Sequence, residues 1–231
     1  MSGMTDHEEL RVSNDAMDDA VELQRRIAEE GYLFFRRLQD PDKLRALRRE
    51  MMSAVQEAGW LVAGTDPSAG IADIDKQCTE GDRAYSDGYG RAYRLESFHR
   101  SAHWPEVMYM IEKIVGKPIM PHPQKVARIW FPQYTDHTTP THQDFVHFQG
   151  SFDTLTCWAP VGDCPVELGG LAVIPGSHKV DRVLDHHFSL GAGGLVVDET
   201  AHEEIDPVWH STDYEMGCLL YTSDAADDGH S

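Results

Sequence analysis

Basic residues, cysteines and long apolar runs are all scarce in this chain, and each scarcity closes off a class of function. Twenty Lys and Arg stand against 39 Asp and Glu, a formal charge of −19 over 231 residues. The cations are dispersed along the chain and form no basic patch. Nucleic acid and anionic membrane surfaces are therefore excluded as natural partners. No apolar run approaches the length of a membrane span. Met1 to Asn14 is polar and acidic, without the apolar core of a signal peptide. A cytoplasmic protein is the simplest expectation. There are four cysteines, Cys78, Cys157, Cys164 and Cys218, and none has metal-site spacing. A disulfide framework is not expected at this chain length. No internal repeat or native low-complexity segment is visible.

What is present suits one domain of ordinary size, with 41% hydrophobic and 26% charged residues. Residues 1–15 are polar and read as a flexible N-terminus. The apolar positions Met17, Val21, Leu23, Ile27 and Ala28 fit a helix over 16–30 that ends at Gly31. Tyr32-Leu33-Phe34-Phe35 reads as a short buried strand. Asp40-Pro41 opens a second helix, Asp40 as cap and Pro41 at the first helical position, and Gly59 ends it. Residues 63–92 are rich in Gly, Asp and Ser and read as an irregular excursion, a lid or binding loop. A third helix spans 97–115, interrupted at Trp104-Pro105.

From Ile119 the texture changes to short runs of strand formers between turn signals. These are 126–131, 145–148, 155–160, 171–174 and 195–197. Helices first and a β domain after them is an α+β layout, and strands at this spacing suggest a sandwich or barrel.

The chemistry concentrates at His142-Gln143-Asp144. On an extended strand, side chains two apart point to the same face. An imidazole and a carboxylate so placed are two-thirds of the facial triad that holds non-haem Fe(II) with open positions. Alone, His-x-Asp is a short pattern, and a His hydrogen-bonded to a nearby carboxylate explains it better than a metal site does. Its context adds weight. Phe145, Phe148 and Trp158 would wall a pocket. Gly169-Gly170-Leu171 and Ile174-Pro175-Gly176-Ser177-His178 follow as turns.

These residues together, with Glu167 to Leu171 and Gly31-Tyr32-Leu33-Phe34-Phe35-Arg36 near the start, resemble the phytanoyl-CoA dioxygenase family over roughly residues 17–217. The resemblance implies a double-stranded β-helix (jelly roll, cupin-like), its core at about 119–217, with the N-terminal helices packed on it. It implies Fe(II) as metal, 2-oxoglutarate as cosubstrate, and dioxygen plus a small organic molecule as partners. His142 and Asp144 match the first two iron ligands and catalytic positions. Trp158 matches an aromatic beside the 2-oxoglutarate pocket. Arg128 and Lys125, on the stretch before the motif and three residues apart, are further candidates for holding a carboxylate. A solvated charge explains each of them as well.

In that family a distal His lies about eleven residues beyond a Gly-Asp turn, and an Arg for 2-oxoglutarate follows about ten residues later. Asp213 to Gly217 resembles the approach to that turn, but Cys218 replaces its Asp. The run Cys218 to Asp227 reads as the translation of a common transposase sequencing adapter. Residues 218–231 are therefore expected to be a non-native tail, outside the fold of a domain spanning 16–217. The distal His would fall near Asp228, and His230 belongs to the tail. On this reading the chain lacks the distal His, the cosubstrate Arg and the last strands, and is inactive as it stands. Two alternatives stay open: a metal-dependent cupin-like isomerase or hydrolase, and a non-catalytic small-molecule-binding barrel.

Among the remaining histidines, His147 is expected to point away from the metal face. His178 reads as a turn or surface residue, and His186-His187 as poor joint ligands. Gln133, Thr135, His137 and Thr139 could line a substrate mouth, as could Tyr93 and Arg94. Cys157 and Cys164 read as small buried residues.

Overall fold

The computed structural model describes residues 7–132, 139, 141–148, 151, 154–180, 182–189, 194–197 and 208–223. The N-terminal half is helical. Helix α1 (Ala20–Glu30) starts where the Asp19 carboxylate accepts the Glu22 N–H, and it stops at Gly31, whose φ of 78° lies in the left-handed region. A separate 3-10 turn, Asn14–Ala16, takes the place of the expected first turn. Strand β2 (Tyr32–Phe35) follows, and α2 (Pro41–Glu57) is capped by Asp40 with proline in its first turn. The predicted break at Trp104-Pro105 separates α4 (Glu96–Ser101) from α5 (Pro105–Val115).

The expected irregular excursion over 63–92 is corrected in its second half. Helix α3 (Arg83–Tyr93) lies there. Its glycines hid the signal, which is Tyr85, Tyr89 and Tyr93 at four-residue spacing on one face. Those rings stack at 5.7 Å each, and Trp60 continues the stack at 5.6 Å. With Phe131 and Val55, Trp60, Tyr85 and Tyr89 form a core between α2, α3 and the chain leading to the motif.

The described strands form three small sheets. In the central one β7 (Leu219–Ser223) lies between β2 and β3 (Leu155–Trp158), antiparallel to both. One face carries Leu33, Phe35, Leu219 and Tyr221 and packs on α1 and α5 through Leu23, Val107, Met110 and Ile114. The other carries Tyr32, Phe34 and Leu220 and packs on Leu10, Tyr214 and Trp158. A sheet buried on both sides explains why β2 is an unbroken apolar run and not an alternating one. Each such side chain contributes about 1.5–3 kcal/mol relative to exposure. The other sheets pair β4 (His186–Ser189) with β5 (Gly194–Val197), and β1 (Glu8–Glu9) with β6 (His210–Ser211).

Three strand expectations need correction. Residues 126–131 alternate as a strand would, with Ala127 and Phe131 buried and Val126 and Trp130 exposed, but they join no described ladder. The alternation reports an extended chain with one side covered by α2 and α3, not a hydrogen-bonded partner. Residues 145–148 form a helical turn, α6 (Phe145–Phe148). Within 171–174 only Val173 pairs, bridging to His210. The expectation that 218–231 stays outside the fold is also corrected for its first six residues. Cys218 to Tyr221 are fully buried, and β7 is the central strand of its sheet. Leu-Leu-Tyr-Thr after the turn at Gly217 (φ 96°) has the composition of a buried strand and fills that slot. A closed two-sheet barrel is not drawn by the described residues.

The Pro-Gly-Ser-His turn has a definite structural task. Gly176 N–H donates to Glu30 O at 2.9 Å, and His178 Nε2 bonds Ala28 O at 3.0 Å. The turn therefore satisfies carbonyls at the C-terminus of α1, so His178 is a docking residue and not a bystander.

Candidate metal centre

His142 Nε2 lies 3.2 Å from Asp144 Oδ1, with both side chains about one-fifth exposed. Two donors about 2.1 Å from one divalent ion and at right angles to each other would sit roughly 3.0 Å apart. The pair thus meets the spacing of two neighbouring ligands, and an imidazole nitrogen with a carboxylate oxygen is a donor set suited to Fe(II). Among the described residues no group of three His, Cys, Asp or Glu side chains is arranged to hold a metal.

Three devices place this pair. Gln143, between the two donors, is buried. Its Oε1 accepts the Leu184 N–H at 2.7 Å, and its Nε2 donates to Arg182 O at 3.4 Å. Its own backbone N–H donates to His186 Nε2 at 3.1 Å, while His186 Nδ1 bonds Leu184 O at 2.6 Å. His186 is therefore engaged at both ring nitrogens. Second, the Thr141 carbonyl accepts the Val197 N–H at 2.9 Å, tying the motif to β5. Third, Thr156 Oγ1 donates to Asp144 Oδ2 at 2.5 Å from the neighbouring strand β3.

After Asp144 the chain turns helical, with His147 N–H and Phe148 N–H both donating to Asp144 O. His147 is then three residues along a helical turn from Asp144, on the same side of it. Its ring lies edge-to-face with that of His142 at 5.4 Å. The expectation that His147 points away assumed a strand period and is corrected. Burial pushes the Asp144 carboxyl up, but hydrogen bonds from His142 and Thr156 and the nearby imidazoles outweigh it. The net position is below the usual carboxylate range.

The cosubstrate candidates are placed as follows. Trp158 is two residues beyond Thr156 on β3, hence on the same face, and packs on Tyr214 at 4.7 Å between ring centroids. Arg128 Nη1 lies 3.5 Å from Glu80 Oε1, and Lys125 Nζ donates to His122 O at 3.3 Å. The structure thus brings Trp158 to the motif's side of β3, while Arg128 and Lys125 have partners in other segments. Gln133, Thr135, His137, His202 and His230 lie outside the described residues. Thr156, Gln143 and His186 were not found as functional residues from the sequence. Thr156 had a signal, its period-two relation to Trp158. His186 had none, because its contact with Gln143 spans 43 residues.

A model of the phytanoyl-CoA dioxygenase family, described as Phytanoyl-CoA dioxygenase (PhyH), matches residues 27–210. The chain belongs to this family. The matched span includes the His-x-Asp motif, Trp158 and the Pro-Gly-Ser-His turn. Among curated relatives, 1-deoxypentalenic acid 11-beta-hydroxylase of Streptomyces arenae is 24% identical over 184 residues, 74% of this chain and 60% of that protein. The Streptomyces exfoliatus protein of the same name is 25% identical over 169 residues, 71% of this chain and 56% of its own. The chain therefore spans about three-fifths of the length of these relatives. Among solved structures, the epimerase SnoN in complex with Fe3+, alpha ketoglutarate and nogalamycin RO is 15% identical. The match covers 92% of this chain and 80% of that one at a TM-score of 0.45. No described helix is long and apolar enough to cross a membrane.

Proposed function

We propose that this family member is built as an Fe(II)- and 2-oxoglutarate-dependent dioxygenase that hydroxylates a small organic molecule on a jelly-roll core. The observation that carries the reading is the convergence of His142 Nε2 and Asp144 Oδ1 at 3.2 Å, inside the span that matches the family. The hydroxylase names of the curated relatives support the same reaction class. His142 and Asp144 would hold the metal, His142 through Nε2 as neutral imidazole. When bound, Fe(II) would let dioxygen react with 2-oxoglutarate, and dioxygen, taking two electrons from the decarboxylating ketoacid and two from the substrate, would supply the oxidising power that cleaves a substrate C–H bond.

The residues around the motif have supporting tasks. Gln143 and His186 fix the backbone between the two donors, so that neither must be ordered when the metal arrives. Trp158 covers one side and keeps it apolar. Arg128 and Lys125 remain candidates for a carboxylate of cosubstrate or substrate, and Arg128 would have to leave Glu80 to serve.

The described residues supply two donors, and the third donor and the 2-oxoglutarate anchor are proposed to lie beyond Gly217. Resequencing past the Gly217 codon should read an Asp, then a strand with a His about eleven residues on, then an Arg. In the gene so completed, 2-oxoglutarate-dependent succinate release should be abolished by His142→Ala and by Asp144→Ala. Undiminished release in either variant would refute the dioxygenase reading. Metal binding without succinate release would favour a cupin-like isomerase or hydrolase, and neither property a binding barrel.

A further inference from the structure

We propose that Thr156 is a positioning residue for the metal centre: its hydroxyl occupies Asp144 Oδ2, leaving Oδ1 alone to face the ion beside His142. The inference rests on the reading of His142 and Asp144 as metal ligands. It adds a residue outside the motif that decides how the carboxylate binds.

The geometry separates the two carboxylate oxygens. Oδ1 lies 3.2 Å from His142 Nε2, and Oδ2 accepts from Thr156 Oγ1 at 2.5 Å. A carboxylate with both oxygens free can chelate a cation with either or both of them. One whose second oxygen is engaged by a hydroxyl is restricted to one donor atom, and its plane is fixed. The donor is itself well anchored. Thr156 sits inside β3 opposite Thr222 of β7, so its backbone is held by the central sheet. A β-branched side chain has few χ1 choices, and the hydroxyl has little freedom to leave. Asp144 lies directly before the helical turn Phe145–Phe148, and its carbonyl accepts the N–H groups of His147 and Phe148. The sheet thus holds the hydroxyl, the bonds to Gln143 hold the motif backbone, and the contact between them sets the plane of the carboxylate. Residues that orient a ligating carboxylate in this way commonly affect metal affinity 10- to 100-fold.

The test uses Co(II) alone as probe, added to the full chain, with affinity and the Co(II) d–d absorption band as readouts. Circular dichroism and thermal melting establish that each variant is folded. Thr156→Val keeps the shape and removes the hydroxyl. It should weaken Co(II) binding by roughly 10- to 100-fold and change the d–d band, because Oδ2 becomes free to chelate. Thr156→Ser keeps the hydroxyl and should stay within about threefold of the parent with an unchanged band. Parental affinity and band in Thr156→Val would overturn the proposal. So would a Thr156→Ser variant as weak as Thr156→Val, since the methyl and not the hydroxyl would then matter. If Thr156→Val does not fold, the Thr156→Ser result still decides: a tenfold loss there refutes the role. Parent and Asp144→Ala binding Co(II) equally would remove the metal-site reading and this inference with it. A change confined to Asp144→Ala removes the inference alone.

Discussion

Replacing Gln143 by Leu separates the supporting role of this side chain from the ligands on either side of it. Leu keeps most of the volume and removes both hydrogen bonds. The Leu184 N–H, now bonded to Gln143 Oε1 at 2.7 Å, loses its acceptor in a buried site. An orphaned buried donor costs about 1–3 kcal/mol. The second bond, at 3.4 Å to the carbonyl of the exposed Arg182, adds little because water can replace it. The apolar replacement regains a fraction through burial. A net loss of about 2 kcal/mol is expected, and for a domain of this size that lowers Tm by roughly 4–8 °C. Because the same side chain fixes the backbone between His142 and Asp144, Co(II) affinity should fall with it, and His186→Ala should be less than additive with Gln143→Leu. Thermal melting and metal titration of the two single variants and the double variant give all the required values. A Tm within 1 °C of the parent together with unaltered affinity would refute the argument that Gln143 braces the motif.

Two further outcomes concern the scaffold. Gly88 in α3 sits where an added Cβ would run into the Trp60 ring, itself packed between Tyr85 and Phe131. Gly88→Ala should therefore destabilise by about 1–2 kcal/mol in urea unfolding, overpacking outweighing the gain in helix propensity; a stabilised variant would contradict this packing. Glu22, hydrogen-bonded by Arg25 and Arg26, has its carboxyl held down at about 2. The same Arg26 lowers Asp15. Their depressed folded-state values mean that this cluster contributes fully above the usual carboxylate range and loses its contribution as pH falls toward 2. Melting temperatures of Glu22→Gln should accordingly fall less between pH 5 and pH 2 than those of the parent; parallel curves would contradict the linkage.

The helical half was legible because its signals are local. Asp19, Asp40 and Pro105 start helices and Gly31 ends one, each where the sequence placed a boundary to within a few residues. The strand Tyr32–Phe35 was equally clear from its apolar run. Helix α3 was not, because Gly88 and Gly90 dilute it and its stabilisation comes from aromatic stacking on Trp60, a contact across 25 residues. The metal motif was visible as a pattern, but its local structure was not. A strand period turned His147 away, whereas the helical turn at Phe145–Phe148 brings it beside His142. The braces were illegible for a different reason. Gln143, Thr156 and His186 are ordinary residues in sequence, and only the pairing of distant segments gives them a task. The segment 218–223 shows the converse: whatever its origin, a run of strand formers placed after a glycine turn is accepted by an open sheet position.

The central claim is that His142 and Asp144 together hold a single iron. Anaerobic equilibrium dialysis of the full chain against Fe(II), with His142→Ala and Asp144→Ala in parallel, tests it most directly. The account predicts a saturable site in the parent that is lost in both variants while their circular dichroism stays unchanged. Folded variants that bind Fe(II) as the parent does would contradict it.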